Sequence, residues 1–353
     1  MEYIGVDVGK RKCVACVMNQ DGNISETYSY PNTTADASEF ARCLVKKYGE
    51  CKAVVESTGN MWMKTYEAFE EAGIEVKLAN PSKTRVIAEA RIKTDKIDCR
   101  ILAHLLRADL VAGCYVPTKQ LRDTRYTLTH RMNITRDRTR IQNRIHSLLH
   151  KYDLQCEYGD IFGTHGMDWL RTLRLPAIRD RQILDSLIRQ VEFLNCEEET
   201  VNSEIASDAV NNRYVAIIMS MTGFDYYGAS VLAAYIADIS RFPSPSRLVS
   251  WVGICPSVHQ TGESLHMGKM KDGNTKVRWI MSQAANVAAK CDPRMKAYYE
   301  RKLRRHHHNV AITHVANKML RILWHMLRDD TLYNERKEQL YHRKLIRMAR
   351  TAS

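Results

Sequence analysis

Four acids near the N-terminus, spread over three segments that can converge, constrain this chain more than any other feature. Asp7 sits in YIGVDVGK, at the end of a strand-like run, and Glu56 sits in KAVVESTG, at the end of another. Asp95 and Asp98 sit in KTDKIDCR, at the start of a helix-like stretch. Carboxylates are rarely buried unless paired or bound to metal, and two of these acids end apolar strands that lead into an interior. Hard oxygen ligands suit Mg²⁺ or Mn²⁺. A carboxylate cluster holding two such ions is an apparatus for phosphodiester chemistry. Asp95 and Asp98 stand at i and i+3, so on a helix they share a face. For those two alone, capping the helix and pairing with Lys93, Lys96 and Arg100 would be a sufficient account. The four together point to a metal site.

The order of elements around these acids narrows the fold. EYIGVDV alternates as a strand, and KCVACVMN and ISETYSY follow as strands joined by the turn NQDGN. Residues 35–48 show helical spacing of Phe40, Leu44 and Val45. KAVVES reads as a short buried strand, residues 61–72 as a helix ending at Gly73, IEVKLANP as a strand stopped by Pro81, and residues 82–112 as largely helical. Three strands, then helix–strand–helix–strand–helix, is the order of an α/β ribonuclease H-like fold. In such a sheet the strands ending in Asp7 and Glu56 are neighbours, which brings four carboxylates around one cavity.

The chain has 353 residues, room for two or three domains. Lys and Arg exceed Asp and Glu by 53 to 40, a formal net charge of +13. That excess favours a polyanionic partner, nucleic acid above all, although an ordinary basic protein shares it. Residues 1–18 carry Asp7, Lys10, Arg11 and Lys12 within the apolar pattern, unlike a secretory leader, and VLAAYIA at 231–237 is too short to span a bilayer. The ten cysteines are scattered, as in a reduced cytosolic protein. Cys13 and Cys16 form a C-x-x-C with no second pair at zinc-ribbon spacing, and in a strand they face opposite sides.

Residues 119–152 lack Gly and Pro and carry a sparse apolar seam, Leu121, Leu128, Ile141, Ile145, Leu148 and Leu149. Arg136, Arg138, Arg140 and Arg144 are among seven arginines on the rest of that surface. They read as contacts to an RNA or DNA backbone, or as a solvated helix face. Residues 179–209 read as a second long helix, acidic toward its end at Glu197, Glu198 and Glu199. A basic and an acidic helix joined by a loop suggest an antiparallel hairpin or coiled coil. The segment around TGFDYYG resembles a helix-hairpin-helix, in which backbone N–H groups meet a phosphate, and equally a plain αα-hairpin. SRLVSWVGICPSVHQTGESLHMGKMKDGNTKVRWIM reads as loop-rich; Lys269, Lys271, Lys276 and Arg278 in it can neutralise a phosphate. Residues 294–330 and 332–350 read as basic helices. His306, His307 and His308 are consecutive, point in different directions on a helix, and read as surface residues.

GVDVGK, VEST-G, Asn80-Pro81 followed by Ala90 and Lys93-Thr94-Asp95-Lys96-Ile97-Asp98-Cys99-Arg100, and WVGICPSVHQTG together resemble the transposases of the insertion sequence 110 family. The resemblance covers the chain from Tyr3 to about Ala289, and its motifs are specific in combination.

The resemblance implies a DEDD domain similar to the Holliday-junction resolvase fold over residues 1–117, a helical coiled-coil region over 118–210, and a mostly α C-terminal domain over 211–353 carrying the nucleophile. It implies a DNA recombinase of a mobile element, directed to target and donor DNA by a base-pairing bridge RNA. Asp7, Glu56, Asp95 and Asp98 are then the Mg²⁺ ligands. A serine becomes covalently joined to DNA, in a site composed from two subunits of a dimer that assembles to a tetramer. A prokaryotic cytoplasmic, nucleoid-associated location follows. The family pattern P-x-x-x-x-S-G reads here Pro256-Ser257-Val258-His259-Gln260-Thr261-Gly262, so the aligned residue is Thr261. Its hydroxyl can act as a nucleophile, although the extra methyl hinders it; Ser264 and Ser257 are the alternatives. The competing function is a metal-dependent, structure-specific nuclease or junction resolvase in which water attacks.

Overall fold

The structure, a computed structural model, describes the backbone outside positions 58, 88–94, 262–263 and 271–272, and side chains outside those and 82, 85–86, 95–96, 256–261 and 264–269. The chain divides into two compact units, Met1–Pro117 and Thr118–Ser353.

The first unit runs β1 (Glu2–Val8), β2 (Lys12–Met18), β3 (Ile24–Pro31), α1 (Thr34–Tyr48), β4 (Cys51–Glu56), α2 (Met63–Glu71), β5 (Glu75–Ala79), α3 (Pro81–Ile87), α4 (Asp95–Arg107) and β6 (Gly113–Cys114). The strands form one mixed sheet in the order β3-β2-β1-β4-β5-β6. β1 lies antiparallel to β2 and parallel to β4, and β4 is parallel to β5. The period of two along a strand sorts side chains onto two faces. Ile4, Val6 and Val8 of β1, Cys13, Ala15 and Val17 of β2, and Ala53 and Val55 of β4 pack with Phe40 and Leu44 of α1 and Phe69 of α2. The alternate positions, Tyr3 and Val54, pack with Leu102 and Leu106 of α4. Val14 and Cys16 meet Cys99 of α4. Cys13 and Cys16 therefore do lie on opposite faces. The helix read over 82–112 is shorter than expected: α4 ends at Arg107, and Asp109 follows at φ 53°. Residues 88–94 of that stretch lie outside the described residues.

The second unit runs α5 (Lys119–Lys151), α6 (Thr164–Thr172), α7 (Ile178–Val210), α8 (Arg213–Ser220), α9 (Tyr226–Ile236), α10 (Pro245–Val252), β7 (Pro256–Thr261), β8 (Ser264–Met270), α11 (Thr275–Cys291), α12 (Pro293–Leu303), α13 (His308–Arg328) and α14 (Glu338–Ala352). α5 and α7 form an antiparallel hairpin. Arg138 Nη1 meets Asn195 Oδ1 at 3.0 Å and Lys151 pairs with Asp180 at 2.5 Å, which fixes the opposed directions. Buried Glu198 is held by both Arg131 and Arg138, the second at 2.5 Å, while the Arg131 guanidinium lies 4.2 Å from the centre of the Tyr227 ring. The main core gathers α8, α9, α11 and α13 around Ile217, Phe224, Leu232, Met281 and Leu323. No helix among the described residues is long and apolar enough to cross a membrane.

Three expectations change here. The connection between the long helices contains α6, because Met167 and Leu170 share a buried face. The stretch read as loop-rich holds α10 and the β7–β8 hairpin. Leu248, Val249 and Val252 give α10 a buried stripe that its Ser and Gly neighbours obscure. The single helix read over 294–330 breaks between α12 and α13, since no apolar residue occurs from Arg304 to Asn309 to keep a buried stripe going. His306, His307 and His308 are exposed there, as expected.

The turn in TGFDYYG is packed against protein. A Cβ on Gly223, at φ 102°, would stand 2.4 Å from the Ala284 carbonyl oxygen. Lys344 of α14 donates to the carbonyls of Met219 and Met221 at 2.9 and 3.2 Å. Burial pushes the Lys344 ammonium down to about 8, with Asp225 opposing. A lysine depressed in the folded state binds its proton more weakly there than in the unfolded chain. The penalty is full below the folded value and fades as pH rises toward the ordinary lysine range. Stability should therefore climb between about pH 8 and 10, and Lys344→Met should flatten that rise in urea denaturation at stepped pH.

Candidate active site

β1 and β4 are parallel neighbours with Val6 opposite Val55. One residue further along each strand come Asp7 and Glu56, so the two acids stand level at adjacent strand ends. Asp7 shares its face with Tyr3 and Gly5, and Glu56 shares its face with Val54, the face that α4 covers. The direction of α4 follows from its contacts. Leu102 and Leu106 pack with Tyr3, while Cys99 and Ala103 lie over Gly5, further along β1. α4 thus runs antiparallel to β1, and its first turn, with Asp95 and Asp98, lies toward Asp7. Acids in a helix's first turn also complement its dipole.

The structure therefore brings Asp7, Glu56 and Asp98 to one end of one face of the sheet. All three are half-buried. Among the described residues no three Asp, Glu, His or Cys side chains are close enough to hold one ion; the Asp95 side chain lies outside the described residues. The charge of Asp7 is felt at Cys99. That thiol is pushed up by its hydrogen bond with Cys16, by burial, and further by Asp7.

Sequence reasoning missed the residue that seats the helix. A Cβ on Gly5 would stand 2.1 Å from the Cys99 carbonyl oxygen and 2.5 Å from the Ala103 nitrogen, both backbone atoms. Only a residue without Cβ lets α4 approach β1 this closely. The signal was available: a glycine mid-strand, two positions before an acid, often marks close backbone approach. Gly5→Ala should displace α4, with a stability loss of about 1–3 kcal/mol. If Asp98 serves DNA cleavage, that activity should fall with it, because Asp98 moves with the helix. Urea denaturation and a plasmid nicking assay check both, and unchanged cleavage would detach α4 from the chemistry.

In the second unit, Thr261 is the last residue of β7 and pairs with Ser264, the first of β8, next to the turn of the hairpin. Ser257 lies near the hairpin's other end. That end is anchored: a Cβ on Gly273 would meet the Gly253 nitrogen at 2.5 Å, and Asn274 N donates to Trp251 O at 3.2 Å. The side chains of Ser257, Thr261, Ser264 and Lys269 lie outside the described residues, as does Lys271. Lys276 is committed within the fold, donating to Thr129 Oγ1 at 2.7 Å and to the Tyr235 hydroxyl at 2.9 Å. Arg278 is half-buried. On α5, Arg136, Arg140 and Arg144 are exposed; Arg140 pairs with Asp137 at 2.9 Å, and Arg138 turns inward to Glu198.

Known proteins share this arrangement of sequence. A family model described as transposase, of the DEDD type named for IS110, matches residues 4–153, and one described as transposase of the IS116/IS110/IS902 family matches residues 215–300. The chain is similar to a probable family 20 transposase of Pseudomonas aeruginosa, 25% identical over 80% of this chain and 86% of that one. It is 24% identical to the transposase for insertion sequence element IS1111A of Coxiella burnetii, over 94% of this chain and 91% of that one. It is 23% identical to the transposase for insertion sequence element IS1328 of Yersinia enterocolitica, over 94% and 98%. With both units matched by models of one kind and relatives aligned nearly end to end, this chain belongs to the IS110 family of transposases.

Proposed function

We propose that this transposase cuts and rejoins DNA with four carboxylates and one hydroxyl, directed to its sites by a guide RNA. The observation that carries the proposal is the level placement of Asp7 and Glu56 at adjacent strand ends beneath the first turn of α4. The strand order and directions of the first unit are those of a ribonuclease H-like sheet, which supports the same reading.

An all-oxygen donor set fits Mg²⁺ or Mn²⁺. Asp7 and Glu56 would hold such ions from the sheet, and Asp95 and Asp98 from the helix. When bound, the ions assist the attacking oxygen and stabilise the leaving one. Carboxylates gathered without a cation repel one another, so in this reading a bound ion is what would draw these acids together. Thr261 supplies the nucleophile in this proposal. Its oxygen bonds to phosphorus, a DNA hydroxyl leaves, and a second DNA end later reverses the exchange, so phosphodiester energy is conserved. Ser264 and Ser257 are the alternative hydroxyls.

The excess of 13 positive charges and the exposed Arg136, Arg140 and Arg144 support contact with RNA and DNA backbones. Assembly of copies into dimers and tetramers belongs to the same reading. Within this scheme residues 118–210 and 211–353 act as helical scaffold and nucleophile-bearing domain.

The test is recombination between plasmids carrying the element's ends and a target, with purified protein and the RNA that copurifies with it. Junctions should form only when RNA and Mg²⁺ are both present. Junctions without RNA would remove the guide. Cleavage without rejoining or any protein–DNA adduct would favour the water-using nuclease.

A further inference from the structure

The corner between α12 and α13 is a one-sided charge patch outside the site above. Between Pro293 and Lys318 seven Lys or Arg stand against a single acid, Glu300. The structure folds them together. Three cations crowd one aromatic ring: Arg301 at 5.2 Å, Lys302 at 5.6 Å and Lys318 at 4.5 Å from the centre of Tyr298. Arg304 and Arg305 are exposed in the connection that follows. Among the described residues no carboxylate forms an ion pair with any of these five; Arg294 nearby is matched by Glu335 at 3.1 Å.

Burial, then Arg294 and Arg301, push Lys318 below its usual range, against Glu335 and Asp292. Burial, Lys302 and His306 push His314 down, with the His306 and His314 rings 5.2 Å apart. Like charges gathered at one place are stabilised by an anion. Five cations grouped at one corner exceed what a single small anion can match, whereas a nucleic-acid strand brings a phosphate every ~3.4 Å of helix axis.

We propose that the α12–α13 corner is a binding site for a phosphodiester backbone, held by Arg301, Lys302, Arg304, Arg305 and Lys318. This rests on the reading of the chain as a nucleic-acid enzyme. It adds a contact surface distinct from the four carboxylates, from the β7–β8 hairpin and from the arginines of α5. Cations of this kind read as backbone contacts, which fix position without reading sequence.

The experiment compares the full chain with Arg301→Gln/Lys302→Gln/Arg304→Gln/Arg305→Gln and with the milder Arg304→Gln/Arg305→Gln, whose residues are exposed. Fluorescence anisotropy measures binding of a 20-nucleotide single-stranded RNA and a 20-base-pair DNA duplex from about 50 to 300 mM salt. Each lost contact should flatten the slope of log affinity against log salt by roughly 0.7–0.9. The fourfold variant should lose about three such steps and at least tenfold in affinity at 100 mM salt, and the double variant about half of that. Loss confined to the RNA or to the duplex identifies which strand the corner holds, and either supports the site. Affinity and slope equal to the unaltered chain on both probes would overturn it. Failure of the unaltered chain to bind either probe would instead overturn the nucleic-acid reading beneath it.

Discussion

Asp7→Ala should abolish DNA strand cleavage. The argument begins with register: Asp7 and Glu56 occupy the same level on parallel strands, and α4 brings Asp98 over that face with the close seat at Gly5. In the proposed site a divalent ion would contribute several kcal/mol to charge stabilisation in the transition state. Losing a ligand should therefore slow cleavage by ~10³-fold or more, since each 1.4 kcal/mol is tenfold. Glu56→Ala, Asp95→Ala and Asp98→Ala should behave alike. Binding of RNA and DNA should survive in all four, because backbone contact depends on Lys and Arg elsewhere. Single-turnover cleavage of a labelled substrate, with binding measured in parallel, separates the two effects. Full recombination by Asp98→Ala would remove that residue from the site.

Thr261→Ala should eliminate the protein–DNA adduct and all recombination while leaving nucleic-acid binding intact. Thr261 is the last residue of β7 and pairs with Ser264, the first of β8. In the proposal its hydroxyl forms the covalent link to DNA. The γ-methyl of threonine restricts χ1 and hinders attack, so Thr261→Ser should retain or raise activity. Mass spectrometry of a trapped adduct decides the position. Linkage at Ser264, directly across the strand pair, or at Ser257 would move the nucleophile. Continued cleavage with no adduct under any condition would hand the chemistry to water.

The first unit was readable because its elements obey simple periods. Alternation in EYIGVDV and KCVACVM placed Ile4, Val6 and Cys13 on one face and Asp7 and Cys16 on the other, and the sheet shows that sorting. The ends of α1, α5 and α7 fell within a residue or two of expectation because caps and breaks mark them: Thr33 and Thr118 accept from the first-turn N–H groups of α1 and α5. What the sequence hid depends on contacts between distant segments. Gly5 looks like any glycine until Cys99 and Ala103 lie over it. Arg131 and Arg138 look solvated until Glu198, about sixty residues away, turns them inward. Lys276 looks like a free phosphate ligand until Tyr235 and Thr129 claim it. The β7–β8 hairpin was masked by Gly, Ser, Thr and Lys, whose composition suggests loop more strongly than their alternation suggests strand.

The claim that the acids form a metal site is tested most directly by anomalous diffraction from crystals of the full chain soaked in Mn²⁺. The account expects one or two manganese peaks at the C-terminal ends of β1 and β4, each ligated by oxygens of Asp7, Glu56, Asp95 or Asp98. Crystals of cleavage-competent protein that show no peak there, or ions bound only elsewhere, would contradict it.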